Sequence, residues 1–286
     1  MATVHANGVD LRVNRYRVGP DGDRPVVVFI HGLGIVDHSG LSFTLGMPLA
    51  TDADVVLYAL RGHGHSEVPP AGYRVVDHVA DLVGLLDGLD ITVPVHVVGC
   101  SYGGAVATVT AMQHPDRVAS LFLLDPLFSS DGWTRRILPS LEAGAAMLSR
   151  DHTVDEVMAA LGLTSRRKAQ AIAERAQRLL VGTTLLDDLR GEQALGADDY
   201  ARIRCPVSAV FGTASEMLPL ADVLRAYVPA AMIHTIAGAD HLGIFGRTRE
   251  LDALIRGHVL ARHATGATGA GALRPRGPVG SVGSVH

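Results

Sequence analysis

Between Val95 and Ala107 the chain passes from a β-branched run, Val95-His96-Val97-Val98, through Gly99-Cys100-Ser101-Tyr102-Gly103, into an Ala-rich run without a helix breaker. The first part has the pattern of a buried strand and the last that of a buried helix. Joining them through so few residues forces a sharp turn with Ser101 at its apex. Gly99 and Gly103 flank the serine two residues to either side, so the helix can begin almost on top of the strand end. A serine held this way has a strained backbone and an exposed hydroxyl, which suits a nucleophile.

The rest of the chain supplies the setting for that unit. Asn7-Gly8 between two strand-like runs predicts an opening antiparallel hairpin. Pro25–Ile30 and Val55–Leu60 read as apolar strands, and residues 73–89 as an amphipathic helix packed on the sheet. The Ser101 helix stops at Pro115, and Val118–Leu124 is a further strand ending in Asp125-Pro126. From Leu127 to about Arg202 the β runs vanish and helical patterns replace them. Pro206–Gly212 and Met232–Ile236 return to strand, with a helix over 218–227 between them and a closing helix from Arg247 to about His263. Nearly half of the 286 residues are apolar and aromatics are few, so Ala, Val, Leu and Gly fill the core, as in helices packed closely on a parallel sheet. The formal charge of −4 is spread over interspersed acids and bases, which argues against a nucleic-acid face or a polybasic membrane patch. Cys100 and Cys205 each adjoin an apolar run and read as small buried residues, not as a disulfide or metal pair. Residues 1–8 lack the basic start and apolar core of a signal peptide, and no run is long enough to span a bilayer, so the expected location is cytoplasmic.

Gly99-Cys100-Ser101-Tyr102-Gly103, set between strand and helix, resembles the nucleophile elbow of the α/β-hydrolase superfamily. The resemblance covers roughly Val9 to Arg262. It implies an α/β-hydrolase fold: a mostly parallel twisted sheet with helices on both faces and a helical cap insertion. On that basis residues 1–126 and 203–263 form the core domain, 127–202 the cap, and 264–286, rich in Gly, Ala and Ser, a disordered tail.

The resemblance also implies roles. His31-Gly32-Leu33-Gly34 follows the first apolar strand, where the family places an oxyanion hole, so the amides of Leu33 and Tyr102 become the two donors. His31 is expected to brace this loop. Asp37 and His38 are read as a solvated loop beside the pocket, and His63 and His65, in Arg61-Gly62-His63-Gly64-His65-Ser66, as turn residues. His241, within Gly238-Ala239-Asp240-His241 after the last strand, matches the family's general base. The acid departs from the common pattern. The register of Gly212-Thr213-Ala214-Ser215-Glu216 puts Ser215 where most relatives carry Asp, and serine cannot hold the charge. Two substitutes remain: Asp125, in a Leu-Asp-Pro resembling that of the pancreatic-lipase family, is preferred, and Glu216 is the alternative. Phe128 and Trp133 could equally line the pocket or fill the cap.

These implications predict a serine hydrolase that cleaves a small carboxylic ester, lactone or related acyl compound through an acyl-enzyme, without cofactor or metal. The expected partner is a small-molecule substrate, with no nucleic acid and no membrane; a homodimer is allowed. The alternatives are a C–C bond hydrolase or thioesterase, and, from another class, a hydrolase-fold binding protein, receptor or cyclase with weak hydrolysis. The missing Asp at position 215 keeps that last class open.

Overall fold

The computed structural model describes residues 2–18, 23–33, 38–127, 133–149, 154–162 and 164–270. Strands β1 (Ala2–Ala6) and β2 (Val9–Tyr16) form the hairpin, with Asn7 and Gly8 both at positive φ. Then come β3 (Val26–Ile30), α1 (His38–Leu41), a π-helical turn (Ser42–Gly46), α2 (Met47–Leu49), β4 (Asp54–Tyr58) and α3 (Val75–Gly88). The Ser101 unit is β5 (Val95–Cys100) and α4 (Tyr102–Gln113), followed by β6 (Val118–Leu124). Among the described residues, five helices separate β6 from β7 (Val207–Gly212): α5 (Trp133–Leu148), α6 (Val154–Leu161), α7 (Arg166–Leu180), α8 (Leu185–Arg190) and α9 (Ala197–Tyr200). Helix α10 (Leu220–Tyr227), β8 (Met232–Ile236) and α11 (Thr248–Ala270) complete the fold.

The eight strands lie in the order β1-β2-β4-β3-β5-β6-β7-β8. β1 and β2 pair antiparallel, as do β2 and β4, and every later pairing is parallel. The central strands are largely apolar because both faces are covered, with His96, Ser120 and Ser208 among the buried polar exceptions. Val28, Ile30, Val56 and Tyr58 pack on the side of α3 and α4, whereas Val27, Phe29, Val55 and Leu57 pack on the side of α11 and the 38–49 segment. Helix α4 is buried through Met112, which explains a sequence without a polar stripe. Its first turn presses on β3: a Cβ at Gly103 would collide with the Ile30 carbonyl oxygen.

Helices α5 to α8 bury Ala145, Leu148, Val157, Ala173, Leu180, Leu185 and Leu189 in the same core that α3 and α4 fill. They are also stitched to the chain just before α3. Thr184 N–H donates to the Pro70 carbonyl (3.0 Å), and Asp188 accepts from Tyr73 N–H (2.9 Å).

Three segments differ from the sequence reading. The 38–49 stretch is helical, and His38 is buried within 3.1 Å of the Asn14 side chain instead of solvated; Asp37 lies outside the described residues. Helix α9 lacks a clear periodic signal. Helix α11 continues to Ala270, into the stretch read as a disordered tail; 271–286 lie outside the described residues.

Candidate active site

Ser101 sits at φ 52°, ψ −120°, a left-handed backbone that a non-glycine residue adopts only when its surroundings enforce it. Here Ser101 N–H donates to the Leu124 carbonyl, while the Ser101 carbonyl accepts from both Gly104 N–H (2.8 Å) and Leu127 N–H (2.9 Å). The turn is therefore clamped between its own helix and the end of β6. The Ser101 side chain emerges half-buried.

Asp125 follows β6 and is also left-handed, at φ 41°. Its N–H donates to the Val210 carbonyl of β7, which turns the carboxylate across the strand ends. His241 comes from the loop after β8. That loop is laced to the one after β7: Thr213 N–H donates to Ile236 O, Ala214 N–H to Ala239 O, and Gly238 N–H to Thr213 Oγ1. Asp240 points its carboxylate at Gly243 N–H (2.6 Å) and starts the helical turn Gly243–Gly246.

These three loops bring Ser101, His241 and Asp125 into one hydrogen-bonded chain. His241 Nε2 is 3.1 Å from Ser101 Oγ, and His241 Nδ1 is 2.6 Å from Asp125 Oδ2. A carboxylate can only accept, so Nδ1 carries the hydrogen and Nε2 presents its lone pair to the serine hydroxyl. Asp125 is completely buried and His241 is 19 % exposed. Two further donors satisfy the buried carboxylate: Gly212 N–H to Oδ1 (3.1 Å) and Ser215 Oγ to Oδ2. Glu216, the alternative acid, is exposed, and its carbonyl accepts from Arg136.

The loop after β3 passes over the serine. A Cβ at Gly32 would lie 3.2 Å from Ser101 Cβ, so glycine allows this approach, and Leu33 follows half-buried. His31 braces the loop as expected: Nδ1 is 2.7 Å from Gly32 O, and Nε2 accepts from Leu60 N–H (3.0 Å). Tyr102 is buried, and burial pushes its phenol well above its ordinary pKa. His63 is buried with Nδ1 on the Arg61 carbonyl, a bond internal to its turn, while His65 is exposed. Phe128 lies outside the described residues; Trp133 is the first residue of α5, and its side chain lies outside the described part. Ser215 is the residue of this cluster to which the sequence reading gave no role.

A family model described as the α/β-hydrolase fold matches residues 25–161. The pimeloyl-[acyl-carrier protein] methyl ester esterase of Chromobacterium violaceum is 31 % identical over 237 residues, 77 % of this chain and 88 % of that protein. The chain is an α/β hydrolase. Among solved structures, an esterase from Thermogutta terrifontis superposes with TM-score 0.69 at 20 % identity, covering 92 % of this chain and 98 % of that one. The enol-lactonase of Burkholderia xenovorans LB400 does so with TM-score 0.65 at 20 % identity, over 89 % and 98 %. At such identities the structural matches speak for the fold alone. No helix among the described residues is long and apolar enough to cross a membrane.

Proposed function

We propose that this α/β hydrolase is a serine hydrolase that cleaves a small carboxylic ester, lactone or related acyl compound through an acyl-enzyme. The observation that carries the reading is the continuous hydrogen-bonded chain from Ser101 through His241 to the buried Asp125. Ser101 Oγ attacks the acyl carbon while His241 Nε2 takes its proton. The imidazolium, stabilised by Asp125, then gives that proton to the leaving oxygen. Water, activated by the same imidazole, releases the acid. Leu33 and Tyr102 supply backbone N–H groups to the oxyanion, with the close pass of Gly32 over Ser101 supporting the first and the start of α4 the second. Residues 127–202 act as a cap whose inner side selects the substrate. A fluorophosphonate probe tests the nucleophile. Rapid modification mapped to Ser101 by mass spectrometry is expected; a folded protein left unlabelled would turn the reading toward a ligand-binding protein.

A further inference from the structure

The serine that occupies the usual acid position is not idle. Ser215 is 6 % exposed, and its hydroxyl donates to Asp125 Oδ2, the oxygen that also receives His241 Nδ1–H. The direction of this bond is determined on both sides. Ser215 Oγ accepts from Met217 N–H at 3.0 Å, so its own hydrogen is free to point at the carboxylate, which can only accept. Asp125 Oδ1 is served separately by Gly212 N–H. Two donors thus divide the charge of one oxygen, and one of them is the catalytic imidazole.

We propose that Ser215 is a positioning residue. It fixes the Asp125 carboxylate for His241 and, by drawing on the same oxygen, limits how strongly that carboxylate stabilises the imidazolium. The proposal rests on the reading of Ser101, His241 and Asp125 as the catalytic chain. A donor to a carboxylate spreads its negative charge, so removing the donor leaves more charge for the imidazole. The imidazolium then persists to higher pH and the free base, which Ser101 needs, appears later in a titration.

The test is the pH profile of kcat/KM for p-nitrophenyl acetate, with Ser101 labelling of the wild-type chain as reference. Ser215→Ala is expected to move the acid limb upward by about half a pH unit to one unit, with kcat about tenfold lower and KM unchanged. Ser215→Thr keeps the hydroxyl and is expected to return the limb to the wild-type position. A Ser215→Ala protein with native near-UV circular dichroism and an unmoved limb would overturn the proposal, as would a Thr variant that stays shifted. A second measurement exchanges the two groups. In Asp125→Asn/Ser215→Asp the carboxylate moves to position 215 and the donor to 125, and turnover at least about tenfold above Asp125→Asn alone is expected. A folded exchange variant without that gain refutes the shared charge site. Failure of wild-type labelling is a different result, because it removes the catalytic reading itself.

Discussion

Acidification is expected to destabilise this fold well before its carboxylates protonate, through histidines buried in neutral form. His96 and His258 lie between the sheet and α11, 3 % and 6 % exposed, each held by a serine: His96 Nδ1 to Ser120 (2.7 Å) and His258 Nδ1 to Ser208 (2.9 Å). Burial lowers each to about 4, against 6.5 for the free side chain. Well above pH 6.5 both are neutral, folded or unfolded, and no proton is exchanged on unfolding. As the pH falls below 6.5 the unfolded chain takes up protons that the folded chain refuses, so stability falls with a slope of 2.303RT per histidine and levels off near pH 4. At pH 5 the 1.5-unit gap amounts to about 2 kcal/mol for each, or about 4 kcal/mol together, a large share of the ~5–15 kcal/mol typical of a domain. His78, fully buried against Tyr73 and Tyr102, adds to the same effect because burial also lowers its pKa. Urea unfolding at pH 7.5, 6 and 5 measures the loss. The His96→Gln/His258→Gln variant is expected to start less stable and to lose about 4 kcal/mol less on going to pH 5. Equal losses in the two proteins would refute the argument.

Asp125→Asn is expected to lower ester turnover by about three to four orders of magnitude. An Asn amide facing Nδ1 favours the tautomer whose Nε2 carries the hydrogen and cannot take the serine proton. Glu216→Gln, altering an exposed side chain, is expected to leave kcat within about twofold, and the reverse ranking in the same p-nitrophenyl ester assay would remove Asp125 from its role. Gly103→Ala drives a methyl group into the Ile30 and His31 carbonyls and is expected to cost about 1–3 kcal/mol or more. Gly257→Ala, on the exposed side of α11 where a Cβ would meet nothing within 4 Å beyond the helix's own backbone, is expected to gain about 0.5–1 kcal/mol; urea midpoints decide both. Asp81→Ala leaves the Arg61 guanidinium, 5 % exposed and now bonded at Nε to Asp81 (2.7 Å), without its carboxylate, and is expected to cost about 3–5 kcal/mol in the same experiment.

The eight strands and most of the helices were legible because each carries a local signal: β-branched runs, an Asn-Gly turn, a 3.6-residue period. The strand–turn–helix around Ser101 was legible for the same reason, since the glycines that permit the close approach adjoin the serine in sequence. The 38–49 helices were not. Their apolar residues, among them Leu41, Leu45 and Leu49, become a face only when laid on the sheet beside Leu57, so tertiary packing and not local periodicity makes them helical. The Gly- and Thr-rich end of α11 likewise carries no local helix signal. Nothing local to His38 marks it as buried, yet it lies inside the fold beside Asn14 of β2, a partner 24 residues away.

The choice between acids shows where local reading ends and topology takes over. In sequence, Asp125 and position 215, where most relatives carry the acid, are 90 residues apart. In the sheet, β6 and β7 are parallel neighbours, with Leu124 opposite Val210, so the residues just past their ends converge on one side of His241. Asp125 N–H on Val210 O and Gly212 N–H on Asp125 Oδ1 tie the two ends together. Either strand end can therefore present a carboxylate to the same imidazole nitrogen. On the proposed reading, one charge and one donor meet across this seam, the charge just past β6 and the donor in the loop after β7. Serine at position 215 is then no lost acid but the complement of Asp125, and a second carboxylate there, with Asp125 still in place, would set two like charges at hydrogen-bond distance.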